Sequence, residues 1–115
     1  MIIKKKLKKN FESKTLQIIQ ESLNDDKVLD LKIINIEKKA FFADYIIIAS
    51  GTSKRHISTM AKNLRKKVKD ILNYTPTIEG IEQSEWVLID VNSTIVNIFK
   101  PETRNFYNLE KLWEE

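Results

Sequence analysis

Cysteine is absent from the 115 residues, and with it go disulfide frameworks, thiolate metal sites and cysteine nucleophiles. A single histidine, His56, excludes an imidazole metal cluster, and no D-x-D, H-x-E or H-E-x-x-H spacing supplies acidic or imidazole ligands in its place. Apolar runs such as Ile46 to Ala49 fall far short of the roughly 20 residues that span a bilayer. The lysine-rich start, Lys4-Lys5-Lys6, runs into Leu7-Lys8-Lys9-Asn10 with no apolar core of a signal peptide, so a cytoplasmic or organelle-matrix address is expected and no membrane contact. Only two glycines and two prolines are present, which leaves little material for long loops. A chain of this length with 42% hydrophobic and 31% charged residues fits one ordinary folded domain.

What is present is charge unevenly placed. The formal net charge of +4 divides into +5 over residues 1–10, −2 over 11–53, +6 over 54–72 and −5 over 73–115. The basic segments suit a contact with RNA, whereas the acidic last third suits a basic protein partner; either can also be a solvated surface.

Periodicity divides the chain into eight elements. Asn10 is a cap-like residue ahead of a helix in which Leu16, Ile19 and Leu23 recur at helical spacing. Leu29, Leu31 and Ile33 alternate with Asp30 and Lys32, predicting a strand half buried at its start, and Asp44 to Ser50 reads as a β-branched strand buried on both faces. From Ser53, its expected N-cap, a strongly amphipathic helix carries Ile57, Met60, Ala61, Leu64, Val68, Ile71 and Leu72 on one side. A short strand at residues 77–80 follows. Residues 86–91 and 94–99 then read as a hairpin closed by Asn92-Ser93, although that turn lacks the usual glycine. Pro101 opens a last helix at the position where its missing N–H costs nothing. The order α-β-β-α-β-β-β-α is that of a mixed sheet with helices, α/β or α+β in class.

Two places could carry chemistry. Ser50-Gly51-Thr52-Ser53-Lys54-Arg55, a strand-to-helix turn, could hold an oxyanion on free N–H groups, but it matches neither glycine-rich phosphate motif. A plain connection, with Gly51 for a demanding backbone angle and Ser53 for a cap, is the favoured reading. His56 would need an orienting carboxylate to act as a base, and Asp44 is the only local candidate. The last third is aromatic instead of titratable: Trp86, Phe99, Phe106, Tyr107 and Trp113 stand among acids, with Phe99 and Trp113 best suited to the core.

The blocks Asp44-Tyr45-Ile46-Ile47-Ile48-Ala49-Ser50-Gly51-Thr52-Ser53-Lys54-Arg55-His56, Glu79-Gly80, Trp86-Val87-Leu88-Ile89-Asp90, Val96-Asn97-Ile98-Phe99 and the run from Pro101 to Trp113 together resemble the ribosomal silencing factor, or Iojap, family. The resemblance covers residues 11 to 113 in the family's order and spacing. Asn97 stands where family members usually have His, Asn92-Ser93 where they usually have an acid or Gly, and the lysine tail at 1–10 lies outside the pattern. It implies a single domain over 11–115: a central mixed sheet of about five strands flanked by helices, similar in topology to nucleotidyltransferases but without their catalytic carboxylates. It further implies a non-enzymatic protein with no cofactor and no metal. Such a protein binds the large ribosomal subunit through ribosomal protein fourteen on the intersubunit face and blocks joining of the small subunit under nutrient stress. The residues carried over as contacts or their supports are Trp86, Leu88, Asp90, Glu102, Arg104, Tyr107, Leu109 and Glu110. An assembly factor touching ribosomal RNA through the basic tail and basic helix stands as the alternative, and a homodimer of the free protein is left open.

Overall fold

A computed structural model describes the backbone of residues 2–114 and the side chains of 12–114. The elements run α1 (Ile2–Asp25), β1 (Leu29–Asn35), β2 (Tyr45–Ser50), α2 (Lys54–Leu72), β3 (Thr77–Glu79), β4 (Trp86–Val91), β5 (Thr94–Phe99), α3 (Pro101–Tyr107) and α4 (Leu109–Trp113). The strands form one mixed five-stranded sheet in the order β1-β2-β5-β4-β3. Only the β2–β5 pair is parallel; the other neighbours are antiparallel. The mixed α+β class and the five-stranded sheet are therefore as expected.

Strand alternation assigns the two faces. Ile47, Ala49, Val87, Ile89, Val91, Val96 and Ile98 point to one side, where they bury against Ile18, Ile19 and Leu23 of α1 and Ile57, Met60, Ala61, Leu64 and Val68 of α2. α2 holds this position with both ends capped: Ser53 Oγ accepts the His56 backbone N–H at 3.1 Å, and Asn73, left-handed at φ 61°, donates its N–H to the Lys69 carbonyl. Opposite, Ile34, Ile36, Ala43, Ile46, Ile48 and Phe99 form a second cluster, covered by Leu109 and Trp113 of α4. Phe99 is fully buried as expected, whereas Trp113 only half enters this cluster. The β3–β4 end of the sheet continues that face. Thr77, Glu79 and Asp90 are exposed there and Leu88 is half-buried.

Several boundaries differ from the sequence expectation. Helix α1 begins at Ile2, so Asn10 lies inside it instead of capping it. The start of β1 is exposed, not half buried: a bulge between Leu29 and Lys32, with Asp30 at φ 48°, throws the alternation out of step, and burial is complete only at Ile34. The last helix is two, because Asn108 at φ 47° breaks it after Tyr107. The β4–β5 hairpin forms as read, with Asn92 taking the left-handed conformation (φ 56°) that a glycine would otherwise supply.

The two glycines serve different ends. Gly51 has no unusual φ; a Cβ there would press within 2.6 Å of Ile57 Cγ1 and 2.8 Å of Met60 Cε, so space and not backbone angle requires it. Gly80 sits at φ 84°, and a Cβ would collide with the backbone carbonyl oxygen of Trp86, which cannot yield as a side-chain end can. Gly80→Ala should therefore cost about 2 kcal/mol of stability, more than Gly51→Ala, as read by urea denaturation.

Candidate functional site

Trp86 opens β4 on this second face, where it is half-buried, and three contacts fix its ring. Its indole N–H donates to Asn97 Oδ1 at 3.0 Å, and its centroid lies 4.7 Å from Phe99 and 5.0 Å from Tyr107. Asn97 is itself buried, with its amide N–H directed at the Ile47 carbonyl at 3.4 Å. Asn97 thus takes a definite role as acceptor for the indole. Asn97→Leu should cost about 1–2 kcal/mol by leaving that N–H unpaired, and should broaden or red-shift the tryptophan emission as the ring loosens.

Around Trp86 a groove is lined by Gln83, Glu85, Glu102, Thr103, Phe106 and Tyr107. Pro101 at the start of α3 and the left-handed Asn108 at its end limit the helix to two turns, and this short helix presents Phe106 and Tyr107 outward, 81% and 56% exposed. Their rings meet edge to face at 5.0 Å. The Glu85 carboxylate reaches Lys54 only at 3.8 Å on open surface, and Glu102 is exposed. The result is a wall of three aromatic rings edged by acids, built between the start of β4 and α3.

The arrangement sorts the eight residues carried over from the sequence. Trp86, Glu102 and Tyr107 come together in the groove, and Leu88 and Asp90 follow Trp86 at alternate positions along the same face of β4. Leu109 instead packs half-buried under α4. Arg104 is buried and makes a three-way tie: Nε donates to Glu110 Oε1 at 2.6 Å, and Nη1 donates to the Asp30 carbonyl and to Ser50 Oγ, both at 2.8 Å. Arg104 and Glu110 therefore join α3, α4, the β1 bulge and the end of β2, which makes them supports of the surface. Phe106, counted among the aromatics of the last third, is not one of the eight, and neither is Glu85. Phe106 could have been found from the helical period, since turning Arg104 inward turns it out.

The two other places with candidate chemistry are committed to structure. Ser50 Oγ serves Arg104 and Ser53 Oγ caps α2. His56 Nδ1 accepts the Thr52 backbone N–H at 2.9 Å, which places the ring proton on Nε2, where it is donated to the Asp26 carbonyl at 2.6 Å. His56 thus ties the end of α1 to the start of α2. Among the described residues no group of three or more His, Asp or Glu could hold a metal ion, and no helix is long and apolar enough to cross a membrane.

Comparison with known proteins agrees with the resemblance read from the blocks above. The family model described as "Ribosomal silencing factor during starvation" matches residues 9–115. The chain belongs to the ribosomal silencing factor family. Among its relatives is the ribosomal silencing factor of Zymomonas mobilis, 41% identical over 98 residues that cover 85% of this chain and 74% of the relative. Another is the mouse protein named for mitochondrial assembly of the ribosomal large subunit, 32% identical over 85% of this chain and 44% of its own length. A crystal structure of a Chromobacterium violaceum protein superposes with a TM-score of 0.84 at 28% identity, covering 89% of this chain and 85% of the other. One from Bacillus halodurans gives 0.79 at 30% identity, covering 88% and 94%. The silencing-factor relatives are named as regulators, not as enzymes.

Proposed function

We propose that this silencing factor acts by occupation: its Trp86 groove binds a basic protein on the intersubunit face of the large ribosomal subunit, ribosomal protein fourteen, and the bound domain stands where the small subunit would join. The observation that carries this reading is the aromatic wall of half-buried Trp86 and exposed Phe106 and Tyr107, with Glu85 and Glu102 at its edge. Rings supply buried area at small entropic cost, and the acids favour a basic partner and speed the encounter. Blocking needs no bond to be made or broken, only an affinity that outcompetes subunit joining.

Sedimentation of mixed subunits tests it. With saturating protein, joined particles should fall and free large subunits carrying the protein should rise; undiminished joined particles would sink the proposal. The mouse relative's name favours a second reading, help in large-subunit assembly, which would use the same contact on immature particles. In that case depletion of the protein from its cell would accumulate incomplete large subunits.

A further inference from the structure

The groove leaves the most basic element of the chain unexplained. Ile57, Met60, Ala61, Leu64 and Val68 fix which side of α2 faces the sheet. At about 100° per residue, Arg55, Lys62, Lys66 and Lys69 then fall on the opposite side within an arc of roughly 60°, with Arg65 beside them. All are exposed except Arg65, which is half-buried. The stripe is about 21 Å long at 1.5 Å per residue.

Two neighbouring cations on α2 are already paired, Lys54 with Glu85 at 3.8 Å and Lys67 with Asp25 at 3.1 Å. Among the described residues, the five of the stripe have no carboxylate within ion-pair distance. Ser58, Thr59, Asn63 and one acid, Asp70, lie among them, and no aromatic or aliphatic side chain does. A stable protein interface needs a buried anchor, which this face lacks. A chain of phosphates needs none, because affinity there comes from releasing condensed counterions.

We propose that the outward face of α2 binds the sugar–phosphate backbone of a folded RNA, with Arg55, Lys62, Arg65, Lys66 and Lys69 on phosphates. α2 packs on the opposite face of the sheet from Trp86 and reaches the groove's edge at Lys54, which pairs with Glu85, so one domain can hold RNA and a protein at once.

The test uses the full chain and a fluorescein-labelled RNA hairpin, with affinity read by anisotropy over a range of salt. Five phosphate contacts predict a slope of log K against log salt of about −4.5. The Lys62→Gln, Arg65→Gln, Lys66→Gln, Lys69→Gln variant should reduce that slope by about 3.6 and weaken low-salt binding at least tenfold, with an unchanged circular dichroism spectrum. An unchanged slope in this variant overturns the proposal. So does loss of RNA binding only on deleting residues 1–9, and so does equal affinity for polyglutamate, which would mark the face as one for acidic protein. The assay contains no ribosomal protein, and Trp86→Ala should leave it untouched; failure here is thus separate from failure of the groove.

Discussion

Arg104→Leu should lower the unfolding free energy by about 3 kcal/mol and the melting temperature by about 10 °C, the largest stability loss expected at any polar position. The guanidinium side chain is 10% exposed, and its partner Glu110 is 24% exposed. Removing the cation leaves a carboxylate, the Asp30 carbonyl and Ser50 Oγ without their donor. The pair is only partly buried, which places the cost at the lower end of that expected for a broken buried ion pair. A pH series supplies an independent check. The hydrogen bond from Arg104 holds the Glu110 carboxyl below its ordinary 4.5; partial burial opposes this, and the charges of Arg104 and Lys32 add to it. A carboxyl lowered in the folded state contributes stability that is present above the unfolded value and is lost as pH falls through the folded one. Acidification below about pH 4.5 should therefore destabilise the unmodified protein more steeply than Glu110→Gln, as followed by thermal melts.

The same cluster shows where the sequence stops being legible. Elements with a strong period were readable: α2 from the spacing of its apolar residues, β2 from its β-branched run, and the β4–β5 hairpin from two strands around a two-residue gap. Apart from the start of α1, the failures lie at two single non-glycine residues that adopt a left-handed conformation. Asp30 bulges β1 and Asn108 splits the last helix, and both are polar residues whose composition suits a helix or strand as well as a break. Asp30 is held by a contact distant in sequence, its carbonyl accepting from Arg104, whereas Asn108 closes α3 through its own backbone N–H to the Arg104 carbonyl four residues back. Site residues followed the same rule. Trp86, Tyr107 and Glu102 were readable as an aromatic and acidic set, but the division of the eight into surface and support depends on which side of α3 Arg104 occupies, and only tertiary packing decides that.

That division reshapes the charge test. From the sequence, reversing Glu102 or Glu110 should weaken partner binding more than reversing Lys66 or Lys67. In the fold, reversing Glu110 first breaks its bond to Arg104 and so reports on stability, whereas Glu102 stands exposed at the groove and reports on recognition. Glu85 is the better second choice, being exposed and at the groove's edge.

Trp86→Ala should weaken binding to the isolated ribosomal protein by about 2–4 kcal/mol, or roughly 30- to 1000-fold in affinity, as measured by calorimetry. The ring is half-buried and fixed by a hydrogen bond as well as by stacking. Asn97 and Phe99 hold it from below, so little entropy is lost when a partner covers it. Its removal also loosens Tyr107, which rests on it at 5.0 Å, and some stability will be lost with it. Phe106→Ala separates the two effects, because a ring 81% exposed contributes little to the fold yet adds area to the groove; about 1–2 kcal/mol of binding should go with an unchanged melting temperature. Glu102→Lys should act differently again, slowing association and reversing its salt dependence while costing about 1 kcal/mol. If Trp86→Ala and Phe106→Ala both bind the isolated ribosomal protein as the unmodified chain does, the groove is not the contact, and blocking of the intersubunit face must be sought elsewhere on the domain.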